Sequence, residues 1–119
     1  MNQIDVISLL KTIDDLNLYY DHAPNGTKVP FSVVTVNQPD NVFADNTVYV
    51  ENWHYRLLLY CAVKDPQLEK KVKDLLNTAE LPWSRSEIWL DDQNCYEIEF
   101  EFDSYGNIPD PVEVGDADG

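Results

Sequence analysis

Two stretches of the chain place apolar residues at spacings of three and four, which predicts two amphipathic helices. The first covers about residues 3–16, and its apolar stripe consists of Ile4, Ile7, Leu10, Ile13 and Leu16. The second begins at Asp65-Pro66, because Asp is a good N-cap and Pro at the first helical position needs no hydrogen-bond donor. This helix should end near Thr78 and point Glu69 away from an apolar stripe of Leu68, Val72, Leu75 and Leu76.

Alternation of apolar and polar residues with a period of two predicts the strands. The segment Phe31–Val36 is β-branched and bounded by prolines, and Leu18–Asp21 is a shorter candidate. A long strand is predicted from about Val48 to Val63, because one parity is entirely apolar or aromatic: Trp53, Tyr55, Leu57, Leu59, Cys61 and Val63. The intervening residues 38–47 are rich in turn formers and are interpreted as a loop.

Two further strands close the predicted domain. Trp83–Leu90 and Cys95–Phe102 flank a polar turn cluster and should form a hairpin. These elements predict an α+β fold: a mainly antiparallel sheet of four to five strands with two helices packed on one face. A single domain should cover residues 1–103. Residues 103–119 hold five acidic residues, no basic ones and two prolines, so 104–119 are expected to form a disordered acidic C-terminal tail.

Charge and composition argue against several classes of function for this chain. Eight Lys and Arg against 22 Asp and Glu give a net charge of -14, which disfavours binding to nucleic acid phosphates and to anionic membranes. No apolar run approaches the length of a membrane span. Cys61 and Cys95 lack metal-binding spacing and are expected to be reduced. No catalytic or phosphate-binding motif is present, and His22 and His54 lie on different elements, so we expect neither an enzyme nor a metal or cofactor site.

Two sets of side chains are candidates for contacts with other molecules. Glu97, Glu99 and Glu101 share one face of the last strand. They form either an acidic strip that repels DNA or receives a basic partner, or an ordinary solvated face relieved by Arg85 of the adjoining strand. The second set comprises aromatic residues that strand parity does not bury and that would anchor protein contacts: Phe43, Tyr49 and Trp89.

The order of these features resembles that of the small tail-completion proteins of long-tailed phages and prophages of Gram-positive bacteria, which are similar in fold to the lambda tail terminator. The resemblance covers roughly residues 3–102. It rests on Val29-Pro30-Phe31, on Lys64-Asp65-Pro66-Gln67-Leu68-Glu69, on the alternating segment Cys95–Phe102 and, most specifically, on Phe43-Ala44-Asp45-Asn46-Thr47-Val48-Tyr49. The acidic tail after Asp103 is longer than this pattern leads us to expect.

The resemblance implies a structural virion protein at the head-proximal end of the tail, present in the host cytoplasm during assembly. Such proteins form a ring, typically of six subunits, that caps the tail tube, ends its polymerisation and joins it to the head. The implied partners are other copies of the chain, the tail tube protein and the head connector or head-closure protein. Genome DNA would pass through the ring without specific binding, and an acidic lumen suits that passage.

The candidate residues divide between the two surfaces that such a ring needs. The lumen candidates are Glu97, Glu99 and Glu101, and the interface candidates are Phe43, Asp45, Asn46, Tyr49 and Trp89. Two alternatives stay open at this point. One is a head-closure adaptor of the connector, and the other is an acidic DNA mimic that inhibits a host DNA-binding protein.

Overall fold

The longest strand organises the sheet. The computed structural model describes residues 3–37, 40–44 and 48–106, with side chains for 6–37 and 53–104. In chain order the elements are α1 (Gln3–Leu10), β1 (Leu18–Tyr20), β2 (Phe31–Val36), β3 (Asp40–Ala44), β4 (Val48–Cys61), α2 (Pro66–Thr78), β5 (Trp83–Leu90) and β6 (Cys95–Gly106). Short 3₁₀ turns at Asp14–Leu16 and Asp91–Gln93 complete the described chain.

The strands are arranged in the order β1-β2-β4-β6-β5, with β3 also paired to β4. Strands β3 and β2 follow one another along the same edge of β4: β3 pairs with residues 48–52 and β2 with residues 55–60. The sheet therefore contains six strands but is five strands wide. Every pairing is antiparallel except β1 with β2. The predicted α+β class and mainly antiparallel sheet are confirmed.

Both helices pack on one face of the sheet, as predicted. Val6 and Leu10 of α1 and Val72 and Leu76 of α2 are almost fully buried in the same core. The sheet contributes alternate side chains to this core, which include Tyr55, Leu57, Leu59, Ile98, Phe100 and Phe102. Period-two alternation thus placed the buried faces of β4 and β6 correctly.

The first helix is shorter than the apolar stripe suggested. It ends at Leu10, and the chain then forms a turn in which the Thr12 hydroxyl donates to the carbonyl oxygen of Leu9 at 2.6 Å. Thr side chains that bond nearby backbone carbonyls compete with helix propagation. A 3₁₀ turn follows and ends at Asn17, which adopts a left-handed conformation. Leu16 is nevertheless buried, so the stripe identified core residues although the continuous helix over 3–16 is wrong.

The second helix follows the prediction except at one position. Asp65 caps it, accepting a hydrogen bond from the Leu68 backbone N–H at 3.1 Å, and Pro66 occupies the first turn. Glu69 was expected to face solvent but is buried, with 6% of its surface exposed. Its Oε1 accepts a hydrogen bond from Nε of Arg85 at 2.6 Å, because β5 passes beneath the helix. A neighbouring strand supplies the countercharge that makes this burial tolerable.

Residues 38–47 do not form one long loop. Asp40–Ala44 forms β3, which pairs in antiparallel register with the first residues of β4. Asn and Asp are unfavourable in strands, but the unpaired edge of a long neighbouring strand can override that local preference. Together, β3 and residues 48–52 form a β-hairpin beyond the end of β2, which we call the arm.

Two predicted boundaries, the end of β4 and the end of the last strand, differ from those in the structure. Val63 lies beyond the end of β4 and is 79% exposed, so its predicted place on the buried face is wrong. Strand β6 continues to Gly106, and Ser104 is 1% exposed, so the predicted domain boundary at 103 falls within a strand. Residues 107–119 lie outside the described residues, and the disordered tail stays a prediction.

Core substitutions test this assignment of faces. We expect Leu59→Ala or Phe100→Ala to lower the free energy of unfolding by about 2–5 kcal/mol, through lost transfer energy and the cavity left behind. The exposed Val63 provides the control, since Val63→Ala should change stability by less than about 0.5 kcal/mol. Chemical denaturation of the three variants would reveal a wrong assignment if the core and control substitutions had similar effects.

Candidate functional site

The sheet has one face covered by helices and one face on which no helix of the described residues packs. On this open face, β6 presents Glu97, Glu99, Glu101 and Asp103, while β4 presents His54, Arg56, Leu58 and Tyr60. The register places Tyr60 opposite Glu97 and Arg56 opposite Glu101. The predicted acidic row therefore exists, and it lies beside a row of basic, apolar and aromatic side chains on β4.

Most of the acidic row is engaged within the subunit. The Tyr60 hydroxyl donates to Glu97 Oε2, and Arg56 Nη2 donates to Glu99 Oε1, each at 2.7 Å. His54 Nδ1 and Asp103 Oδ1 form a third contact at 2.7 Å. Glu101 is the exposed member of the predicted trio. The open face is therefore an acidic strip partly neutralised from β4, and it presents fewer free carboxylates than the sequence alone suggests.

These contacts change the acidity of the groups involved. The hydrogen bond and charge of Arg56 hold the pKa of Glu99 below its ordinary value, against an opposing effect of burial. The pKa of Tyr60 is raised well above its ordinary value, first by burial and then by the hydrogen bond to Glu97. The raised pKa of Tyr60 favours the neutral phenol, and the lowered pKa of Glu99 favours the ionised carboxylate.

Arg85 does not relieve the acidic row, so this part of the solvated-face alternative is wrong. Its position opposite Phe100 puts it on the helix-covered face, where it bonds Glu69 and also Glu87, the latter at 2.8 Å. Lys64 extends this chain of charges through its ion pair with Glu87. The network fastens α2 to β5, so Arg85 serves the fold, and Arg56 is the cation that faces Glu99.

The other half of the open face is aromatic. Phe31 stacks on Tyr60 with ring centroids 4.9 Å apart, and Tyr19 meets Phe31 edge-on at 6.2 Å. These rings flank Val33 and Leu58, which have only 6% and 8% of their surfaces exposed although no helix covers them. Parity alone did not reveal this cluster, because β1 pairs with β2 in parallel and brings Tyr19 beside it.

The predicted interface residues do not form one cluster. Phe43 and Tyr49 are directly opposite each other in the backbone register of the arm. Asp45 and Asn46 lie between these strands but outside the described residues. Trp89 lies on β5 at the far edge of the sheet, where it is 43% exposed and packs edge-on against Tyr96 at 4.8 Å.

Exposed apolar residues near Trp89 were missed by the sequence reasoning. Ile88 is 56% exposed on the open face of β5, and Val63 is 79% exposed after β4. The sequence could have predicted the exposure of either Ile88 or Trp89. These residues are adjacent on a strand, so their side chains face opposite sides of the sheet, and both cannot be buried in the same core. Strand β5 pairs only with β6 in the described sheet, so its outer edge offers backbone groups as well as these side chains.

The remaining candidate groups do not assemble into a chemical site. His22 is exposed and contacts Asp21 at 3.1 Å, remote in sequence from the His54–Asp103 pair. Within the described ranges, no three His, Cys, Asp or Glu side chains are grouped to hold a metal ion. Cys61 and Cys95 are buried thiols, and burial raises the pKa of both. None of the helices described is long and apolar enough to cross a membrane.

Comparison with known proteins adds a similarity of fold. No family model and no curated protein sequence matches the chain. Among solved structures, it is similar to a chain from the "virion of native gene transfer agent (GTA) particle", with a TM-score of 0.58 and 12% sequence identity. The match covers 87% of this chain and 92% of the other. At this identity the likeness shows that the two chains share a fold.

The contact between Arg56 and Glu99 predicts a pH-dependent contribution to stability. Since the pKa of Glu99 is lowered in the folded state, its contribution is present above the unfolded value of about 4.3 and is lost as pH falls through the folded value. We expect Glu99→Gln to lower the free energy of unfolding by about 1 kcal/mol or less at pH 7, because solvent screens the partly exposed Arg56.

The difference between wild type and Glu99→Gln should shrink as the pH falls below about 4. Urea denaturation of both proteins between pH 7 and pH 3 measures it. Glu80→Gln, the same change at an exposed residue that is not among the electrostatic partners of Arg56 or Glu99, is the control. A difference that grows on acidification would contradict the assigned contact.

Proposed function

We propose that this chain is a structural protein of a phage-like particle. The observation that carries this proposal is the fold shared with a chain of a gene transfer agent virion, which spans nearly the whole of both chains. The sequence resemblance to phage tail-completion proteins, which rests on residues such as those of the arm, points independently to the same class. The likeness in fold says nothing about which position in the particle the chain occupies.

Within that class we propose a ring that caps the tail tube, stops its polymerisation and joins it to the head. Three features support this position. The arm extends beyond β2 and offers a contact to a neighbouring subunit. Exposed Ile88 and Trp89 lie on an edge strand, a second surface suited to the heterologous contacts that close a ring. The chain is strongly acidic, which suits a lumen through which DNA passes.

We propose the open face of the sheet, with Glu97, Glu99 and Glu101, as the lumen surface. Glu101 would contribute most directly to repelling DNA, because it is exposed while Glu97 and Glu99 are hydrogen-bonded to β4. Arg56 lies among these acids, so DNA would meet a negative surface with one embedded cation. That arrangement permits passage without specific binding, since phosphate contacts require clustered Lys and Arg.

The structure bears differently on the two alternatives, the head-closure adaptor and the DNA mimic. A head-closure adaptor would need the same features and differs only in its position in the particle. A DNA mimic needs free carboxylates spread at phosphate-like spacing, whereas Glu97, Glu99 and Asp103 are each engaged by a side chain of β4. Among the described residues, these contacts weigh against the mimic.

Electron microscopy of particles produced without this protein tests the proposed position. If the chain caps the tube, we expect overlong tails or tails of normal structure that are not attached to heads, and expression of the wild-type chain should restore joined particles. Normal-length tails beside heads that have lost their DNA would favour the adaptor. Intact, infectious particles would contradict both virion roles.

The arm provides a sharper test of assembly. We expect Phe43→Ala to change the free energy of unfolding by about 1 kcal/mol or less while weakening ring formation or tube attachment by about 2 kcal/mol or more, as truncation of an interface anchor does. Thermal melts measure the first effect, and sizing with and without tube protein measures the second.

The matched control is Tyr20→Ala, an exposed aromatic residue on β1 that lies outside the arm. It should leave assembly unchanged. If Phe43 instead packs into its own subunit, Phe43→Ala should destabilise the monomer by about 3 kcal/mol. A destabilised variant that still assembles would remove Phe43 from the interface.

A further inference from the structure

A groove lies at the end of the sheet opposite the arm, where β2 begins and β4 ends. It is bounded by the 3₁₀ turn Asp14–Leu16 on one side and by the first turn of α2 on the other. Its volume is about 530 Å³, within the range of sites that accept small ligands or one to two side chains. None of the predicted interface residues lines it.

The floor of the groove is apolar. The side chains that underlie the groove are at most 8% exposed: Leu16, Leu59, Leu68 and Ile98. The apolar surface open to water comes from the residues around them, above all Ala62 and the 79% exposed Val63. Covering this surface with an apolar group is favourable because it removes apolar area from water. The groove therefore suits a ligand with a hydrocarbon portion.

The rim of the groove carries charge of one sign. Every lining residue that is charged at neutral pH is an acid: Asp14, Asp15, Asp65 and Glu69. Two of these are neutralised by cations outside the lining, since Asp15 pairs with Lys71 and Glu69 with Arg85. Asp14 and Asp65 have no ion-pair partner among the described residues. Lys71 also lies near enough to act electrostatically on Asp14 and Asp65. The rim therefore has four carboxylates against the two cations Lys71 and Arg85, and it stays negative beside apolar walls.

This combination matches one kind of side chain. Lys and Arg have an apolar stem and a cationic head, so the stem can lie on the floor while the head reaches the rim. A second copy of this chain is a poor source of such a group, because five of its eight Lys and Arg side chains are already in ion pairs within the subunit. A different protein with a basic and apolar segment is the complementary partner.

We propose that this groove docks an extended segment of another protein in which an apolar residue is flanked by Lys or Arg. The cationic head binds Asp14 and Asp65, and the apolar neighbour covers Val63 and the floor. The contact lies at the far end of β4 from the arm, so the two surfaces are separate. This inference does not depend on the position of the chain in a virion.

Titration of the ¹⁵N-labelled protein with three short peptides tests the proposal. The first has the pattern Lys-Leu-Phe-Arg between glycines, the second replaces Lys and Arg by Glu, and the third replaces Leu and Phe by Ser. Only the first should saturate, with amide shifts concentrated at Asp14, residues 61–63 and Asp65. Raising the salt concentration should weaken it.

Matched variants separate the groove from the general negative charge. Asp14→Asn with Asp65→Asn removes both carboxylates while Asn preserves the helix cap. We expect this double variant to bind the first peptide about tenfold more weakly, as loss of charge-assisted contacts does, with an unchanged melting temperature. The control, Glu80→Gln with Asp92→Asn, makes the same charge change at exposed residues outside the groove and should bind like wild type.

Several results would overturn the proposal. Equal weakening by the two double variants would mean that the peptide senses only net charge. Equal binding of the serine peptide would remove the apolar contact, and shifts elsewhere would move the site. Concentration-dependent shifts of groove residues without peptide would make a second copy the occupant. Each result leaves the particle phenotype of the proposed function as a separate measurement.

Discussion

Strand β4 constrains every other part of this fold. Its 14 residues pair with β6 on one side and with β3 and then β2 on the other. Backbone groups in a sheet must be paired when they are buried, so the long central strand dictates where its neighbours can lie. Its odd-numbered side chains Tyr55, Leu57 and Leu59 also form the floor on which both helices pack. One strand thus fixes both the width of the sheet and the position of the core.

The two faces of β4 lie in different environments. The helix-covered face excludes water, and Glu69 of α2, the one acid buried against it among the described residues, is neutralised by Arg85. The open face must keep an acidic strand stable in a chain that is already strongly negative. It does so locally, because Arg56, His54 and Tyr60 each contact one acid across the β4–β6 register. Arg56 reduces charge repulsion along β6 without making the face positive, and the Tyr60 hydroxyl satisfies Glu97 with a hydrogen bond.

The geometry of β4 also separates the surfaces available for assembly. The arm lies at its first residues and the acidic groove at its last, while Ile88 and Trp89 mark an edge strand two positions away. A subunit with distinct surfaces at opposite ends can bind different neighbours at the same time. This separation of surfaces is what the function proposed above requires.

The sequence by itself determined the identity of most elements and the side of the sheet that is buried. Period-two alternation in β4 and β6 and the Asp65-Pro66 start of α2 are local signals, so they needed no knowledge of distant residues. The tertiary structure decided which elements are neighbours. Pairing with β4 made a strand of Asp40–Ala44, proximity to Arg85 allowed Glu69 to be buried, and register gave Glu99 the cation Arg56. Parity assigns a side chain to a face, but only the packing of distant segments supplies its partner.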